Sequence, residues 1–204
     1  MHFSTSTLGF LLPALAAAAA TFESSSKRGL VYVQTTHPYD LQIFVGAEGW
    51  SDLTWYYNYA PTPSSAYDNL TQSEFEFVPM LFTAPSSADN SFVTTIQSLI
   101  SGGRNITHVL TYNEPDGSFA TGGSNLDPVS AAKGWISQIV PLQKLGIKAG
   151  APAVTGSQTG FTWLAEFFAA CTAAGTNCTA DFIPIHWYGD FQGMASHVGQ
   201  VSVT

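Results

Sequence analysis

Hydrophobic and polar positions follow two periods along this chain, and the switches between them divide it into strand-like and helix-like pieces. Short runs rich in Val, Ile, Tyr, Phe and Trp, several bounded by Gly, Pro or Asn, predict strands over 30–34, 54–59, 75–82, 108–113, 148–154 and 182–188. Helical spacing fills the gaps at 91–101, 128–145 and 161–174. The second of these opens on Pro128-Val129-Ser130 and carries Ala131, Trp135, Ile139 and Leu142 on one side. The third places Trp163, Leu164, Phe167 and Phe168 together. Strands that alternate with helices, many of them apolar throughout, predict an α/β protein with a parallel sheet covered by helices. Such a series would make about six of the eight units of a (β/α)8 TIM-barrel type fold, an incomplete barrel, since a full one takes about 250 residues. An open doubly wound sheet is the rival, but no Gly-x-Gly-x-x-Gly turn follows the first strand and no phosphate-binding loop occurs. Polar residues gather at the C-terminal ends of the strands, where either architecture holds its ligand.

The N-terminus reads differently from the rest. Residues 10–20 form an apolar run too short to span a bilayer, with Ala16, Ala18 and Ala20 offering small-residue cleavage sites. This predicts a signal peptide over 1–20, a short linker over 21–27 and a folded domain over 28–204. Three Asn-x-Ser/Thr sequons, at Asn69, Asn105 and Asn177, agree with secretion to the exterior or the cell wall and predict a glycoprotein. The two cysteines, Cys171 and Cys178, read as one short-loop disulfide in an oxidising compartment.

Composition removes whole classes of function. Of 204 residues, 45% are apolar but only 10% charged, and 6 Lys and Arg against 14 Asp and Glu leave a formal charge of −8. Without a basic stripe the chain is no nucleic-acid binder and has no polybasic membrane anchor. Two cysteines make no thiolate cluster, and the five histidines lack zinc-binding spacing, so neither metal nor cofactor is implied. An acidic domain with 13% aromatics and few charges suits a neutral polar ligand.

One carboxylate stands out. The strand ending at Tyr112 runs directly into Asn113-Glu114-Pro115-Asp116, and the proline stops regular structure there. That places Glu114 at a strand end facing a ligand, although a turn carboxylate capping the next segment fits the tetrapeptide too. Trp55, Asn58 and Tyr59 close the second strand, Phe82 the third, and His186 and Tyr188 the sixth. Aromatic rings stack on sugar faces, while Asn, His and Tyr bond hydroxyls, so the set suits a carbohydrate groove. Alternation puts His186 and Tyr188 on one face of their strand and Trp187 on the other. Core packing is the plain alternative for each aromatic taken singly. The nearest approach to a serine nucleophile elbow, Gly156-Ser157-Gln158-Thr159-Gly160, has its serine out of place.

Five motifs in order resemble one family: Trp55-Tyr56-Tyr57-Asn58, Phe77-Val78-Pro79-Met80-Leu81, Asn113-Glu114-Pro115-Asp116, Gly150-Ala151-Pro152-Ala153-Val154, and Asp181 with His186-Trp187-Tyr188-Gly189. The chain resembles the Asl1-like glycosyl hydrolase catalytic domain, glycoside hydrolase family 128, from about Arg28 onward. The resemblance implies a (β/α)8 barrel, retaining hydrolysis of β-1,3-glucan, and a β-glucan polysaccharide or oligosaccharide as partner. It makes Glu114 the acid/base and Asn113 a contact to the sugar 2-hydroxyl. Trp55, Asn58, Tyr59, Phe82, His186 and Tyr188 become substrate-binding residues. The family usually carries Trp where this chain has Tyr59 and Phe82, so altered subsites are expected. Its nucleophile is a second Glu at the end of the seventh strand, whereas residues 191–204 contain no carboxylate. The expectation is therefore a chain with no nucleophile of its own, little or no turnover, and open barrel edges that favour self-association. A non-catalytic glucan-binding or wall-associated protein is the alternative, and a hydrolase pairing Glu114 with Asp116 or Asp190 is a third reading.

Overall fold

The computed structural model describes residues 25–34, 53–86 and 89–201. The expected signal peptide (1–20) and positions 21–24 of the expected linker lie outside the described residues. Strand β1 (Ser25–Val31) begins ahead of Arg28 and pairs in parallel with β2 (Leu53–Tyr57), which pairs in parallel with β3 (Glu76–Phe77). A parallel bridge from Met80 to Leu110 hands the sheet to β4 (His108–Val109). That strand pairs in parallel with β5 (Lys148–Ala149), and a further parallel bridge joins Gly150 to Phe182. Each strand thus lies beside its predecessor in sequence, and among the described residues the order never reverses as it does in a doubly wound sheet.

Regular pairing is shorter than the sequence predicts, and proline is the cause. Pro79, Pro152 and Pro184 fall inside the expected strands at 75–82, 148–154 and 182–188. Each removes a backbone donor, so the ladder breaks into two-residue pairs and single bridges. The strands nevertheless hold their line: the Ala153 amide donates to Tyr112 O at 2.9 Å, and the Leu81 amide to Leu110 O at 3.0 Å.

Helix α1 (Ser91–Ser101) buries Phe92, Val93 and Ile96. The single helix expected over 128–145 is compound. Helix α2 (Pro128–Gly134) starts at Asp127, whose Oδ1 accepts the Ser130 amide at 2.9 Å, with Pro128 in the first turn. A π-helical turn (Trp135–Ile139) then leads into α3 (Val140–Gln143). Pro141 lacks the N–H that an α-helix would aim at the Ser137 carbonyl, and the Val140 amide instead reaches back to Trp135 O. Helix α4 (Gln158–Ala173) starts before the expected position 161 and buries Trp163, Leu164, Phe167 and Cys171. Helix α5 (Phe191–Val201) was not expected at all.

Among the described residues, two clusters form the core. Ile96, Val109, Trp135, Ile139, Leu142 and Phe167 pack helices onto β4 and β5. Tyr32, Tyr56, Tyr67, Phe75 and Phe77 form a separate aromatic cluster against β1–β3, with Tyr56 stacked on Phe75 at 4.9 Å. Cys171 and Cys178 are disulfide-bonded and buried, tying the end of α4 to the approach to Phe182. Asn69, Asn105 and Asn177 are all exposed. No helix of the described residues is long and apolar enough to cross a membrane.

Candidate active site

Alternation along β2 sorts its aromatics. Tyr56 enters the aromatic core, so Trp55 and Tyr57 share the opposite face and stack at 6.5 Å. Tyr59 lies just past the strand with a left-handed backbone (φ 58°). Its ring meets Tyr57 edge-on at 5.2 Å and Phe82 at 6.3 Å. Burial pushes the Tyr57 phenol well above its ordinary range, and the neighbouring Tyr59 adds to the shift.

The fourth strand is pinned on both sides before it reaches the site. Thr111 Oγ1 donates to Gly150 O at 2.8 Å, and the Tyr112 hydroxyl donates to Ala131 O at 2.8 Å. Asn113 follows, buried, with its amide on Phe82 O (3.1 Å) and its Nδ2 on Gly122 O (3.0 Å). Its Oδ1 is buried without a partner among the described residues. Glu114 has a left-handed backbone (φ 40°), a conformation that costs a non-glycine residue about 1–3 kcal/mol and persists only where surroundings enforce it. The enforcement is visible. The Glu114 amide donates to Ala153 O at 2.7 Å, and the Gly117 amide donates back to Glu114 O at 2.8 Å. The 117–126 loop folds over this turn so closely that a Cβ on Gly123 would lie 2.4 Å from Gly117 O and 2.6 Å from Glu114 O. Only glycine fits there.

The Glu114 carboxyl is 14% exposed, and its Oε1 lies 2.8 Å from Nδ1 of His186, itself 21% exposed. His186 and Tyr188 face the site, whereas Trp187 turns away, stacks on His197 at 5.4 Å and donates its Nε1 proton to Asp190 O at 3.0 Å. Tyr59, Phe82, Asn113, Glu114, Thr121, Gly122, His186 and Tyr188 line a cleft of about 320 Å³. Six residues named from sequence therefore meet in one place. Trp55 and Asn58 do not line this cleft. Trp55 borders an adjoining pocket of about 200 Å³, together with Tyr57 and His186. Asn58 braces its own loop, donating from Nδ2 to Thr62 O at 3.0 Å and accepting the Ala60 amide at 3.3 Å.

Three neighbours of the site were not singled out as site residues from sequence: Tyr57, which borders the adjoining pocket, and Thr121 and Gly122, which line the cleft. Tyr57 was legible, being in phase with Tyr59 in the Trp-Tyr-Tyr-Asn-Tyr run. Thr121 and Gly122 carried no signal, because a long loop brings them back. The two rival carboxylates are occupied elsewhere. Asp116 accepts the Thr155 amide (2.9 Å), the Thr155 hydroxyl and the Thr159 hydroxyl (3.2 Å), so it clamps the Glu114 turn to the start of α4. Asp190 accepts the Gly193 amide at 2.8 Å and caps α5. Among the described residues, Glu114 is the one carboxylate lining the cleft.

A family model described as glycosyl hydrolase catalytic core matches residues 29–204. Alkali-sensitive linkage protein 1 of Schizosaccharomyces pombe is 31% identical over 181 residues, which cover 87% of this chain and 29% of that protein. The structure of a GH128 (subgroup II) endo-β-1,3-glucanase from Pseudomonas viridiflava superposes with a TM-score of 0.64 at 27% identity, covering 86% of this chain and 66% of that one. A GH128 (subgroup I) endo-β-1,3-glucanase from Amycolatopsis mediterranei, solved with laminarihexaose, gives a TM-score of 0.54 at 30% identity over 86% and 62% of the two chains. This chain thus spans less than a third of the curated relative's length and about two thirds of the solved relatives'.

Proposed function

This chain belongs to the glycosyl hydrolase catalytic core family, as an Asl1-like domain of glycoside hydrolase family 128, and from that premise we propose that its Glu114 cleft binds β-1,3-glucan and holds the proton donor for its hydrolysis. The observation that carries the reading is the Glu114–His186 contact at 2.8 Å, set beside Asn113 in an aromatic-lined cleft. His186 engages Oε1, and Oε2 makes no hydrogen bond among the described residues, which leaves it to meet the glycosidic oxygen. Protonating that oxygen as the bond breaks is general acid catalysis. The unpartnered Asn113 Oδ1 offers an acceptor to a sugar hydroxyl. Tyr59, Phe82 and Tyr188 supply ring faces, and among the described residues no Lys, Arg or second carboxylate lines the cleft, which suits a neutral sugar.

Retaining hydrolysis also needs a second carboxyl about 5–5.5 Å from the first. We place that partner outside the described residues. The sequential parallel order supports a wall of about six of the eight units of a (β/α)8 barrel. A cleft with one carboxylate among the described residues also favours a second reading, glucan binding without turnover. The buried disulfide and the exposed sequons support a secreted, N-glycosylated protein. Laminarin incubated with the chain and with Glu114→Gln, followed by reducing-sugar and binding assays, separates the readings. Sugar release that falls by about 10²-fold or more in the variant identifies the acid and a working partner carboxylate. Saturable binding without release supports the binding protein, and absence of both contradicts each.

A further inference from the structure

Two covalent reactions of a secretory compartment converge on one tripeptide. Asn177-Cys178-Thr179 is an N-glycosylation sequon, and its central residue is one half of the disulfide to Cys171. Seven positions separate the two cysteines, and both are buried in the core that packs helices onto β4 and β5. The backbone around Cys178 is closed as well. The Thr179 amide donates to Asn177 O at 3.0 Å, and Gln143 Nε2 donates to Thr179 O at 2.8 Å. The Asp181 amide donates to Ala149 O at 2.8 Å, and on the other side the Thr176 amide donates to Cys171 O at 3.1 Å. Asn177 itself is exposed, so the finished fold has room for a glycan there. A transferase that reads Asn-x-Thr must nevertheless draw the whole tripeptide out of this loop.

The sequons at Asn69 and Asn105 are held differently. Leu70 is half-buried, and Thr71 donates its amide and its hydroxyl to Glu74 Oε2 at 2.8 and 2.7 Å. Ile106 is buried, and the Thr107 hydroxyl donates to Glu76 Oε1 at 3.0 Å. Local opening breaks and remakes contacts of these kinds. At Asn177 a covalent bond holds the middle residue in the core, and opening of the loop does not free it while the sulfurs are joined.

We propose that Asn177 is an N-glycan acceptor only while Cys178 is a thiol, so that disulfide closure and glycan transfer compete for this segment. The inference rests on the reading of the chain as secreted and adds an order of events to it. In transfer, Asn177 Nδ2 bonds to the anomeric carbon of a lipid-pyrophosphate-linked oligosaccharide and loses one proton, and the lipid pyrophosphate leaves. In closure, the Cys171 and Cys178 thiols give two protons and two electrons to the disulfide of a protein oxidant, which becomes a dithiol. Transfer first leaves closure possible, because Asn177 stays at the surface. Closure first withdraws the acceptor, and the short separation of the cysteines favours it.

The test is site occupancy in the full chain secreted from a eukaryotic host, read by mass spectrometry after a glycan amidase has converted each glycosylated Asn to Asp. Asn177 is expected to be less occupied than Asn69 and Asn105. Cys171→Ser leaves the sequon untouched, and Cys178→Ser preserves one, since serine is an allowed middle residue. Where closure is at least as fast as transfer, both variants raise Asn177 occupancy about twofold or more. Gln138→Leu disturbs a buried residue far along the chain and leaves both cysteines in place, so it is expected to leave Asn177 occupancy unchanged. Parent occupancy at Asn177 equal to that of the other two sites, failure of either cysteine variant to raise it, or an equal rise in Gln138→Leu overturns the competition. Bare Asn69 and Asn105 together with free thiols in the parent overturn the secreted reading, and the competition with it.

Discussion

Glu114 is positioned by its backbone before its side chain meets anything. The left-handed turn, the Ala153 carbonyl and the Gly123 approach aim the carboxyl, and His186 then takes one of its oxygens. Half of that was legible in the sequence. Pro115 after Asn113-Glu114 announces a strand end, because proline cannot continue the ladder. The His186 contact was not legible as a pair, because 72 residues separate the partners and only the parallel order of the strands brings their ends together. At the same scale, Tyr67 makes a sharp prediction. Its hydroxyl is buried without a partner among the described residues, and desolvation raises its pKa to about 12. The unfolded phenol titrates near 10, so the fold prefers the neutral form. This contribution to stability is full below about pH 10 and is lost as the pH rises through about 12. Tyr67→Phe removes the orphaned hydroxyl and should leave the protein as stable or about 1 kcal/mol more stable near neutrality. Its alkaline decline should be flatter than that of the parent, as urea midpoints at about pH 8 and about pH 11 will show. A steeper decline in the variant would contradict the assignment.

Among the elements, the expected helix over 128–145 shows how a single residue changes the outcome. Its apolar spacing was read correctly, and Trp135, Ile139 and Leu142 are buried as that spacing requires. The π turn was not legible, because periodicity does not register the donor that Pro141 lacks. Helix α5 escaped notice for the opposite reason. Two glycines in Phe191–Val201 weaken its propensity, and packing supplies what propensity does not. Trp187 lies so close to it that a Cβ on Gly193 would come within 2.3 Å of the indole. The same π turn carries Gln138, which is wholly buried and links two helices. Its Oε1 accepts the Val93 amide at 3.2 Å, and its Nε2 donates to Asp89 O, so it caps α1 where Asn90 provides no side-chain cap. Gln138→Leu keeps the volume but leaves that amide and carbonyl unpaired. A loss of about 1–3 kcal/mol in urea unfolding is expected, and an unchanged midpoint would deny Gln138 the capping role.

Across the whole molecule, the parallel sheet follows directly from strands alternating with apolar helices, and that level was the most legible. The length of each strand was the least, because Pro79, Pro152 and Pro184 interrupt pairing without interrupting the wall. The two margins of the described sheet share a property. Val31 and Val33 at one side are 46% and 66% exposed, and Ile183 and Ile185 at the other are 52% and 37% exposed. β-branched side chains at a sheet margin invite a further strand or a second copy. Sedimentation of the chain over a range of concentrations is expected to show reversible self-association, reduced by Ile183→Lys. A monomer at every concentration would contradict this.

The central claim is that Glu114 is the proton donor in a β-1,3-glucan site, and a crystal structure of Glu114→Gln with laminarihexaose tests it most directly. The amide keeps the shape of the acid and removes its chemistry. The account predicts sugar in the cleft between Tyr59, Phe82 and Tyr188, with one glycosidic oxygen within about 3 Å of the residue 114 amide, the reach of a proton transfer. Sugar seated elsewhere, or in the cleft with no glycosidic oxygen near residue 114, would contradict it.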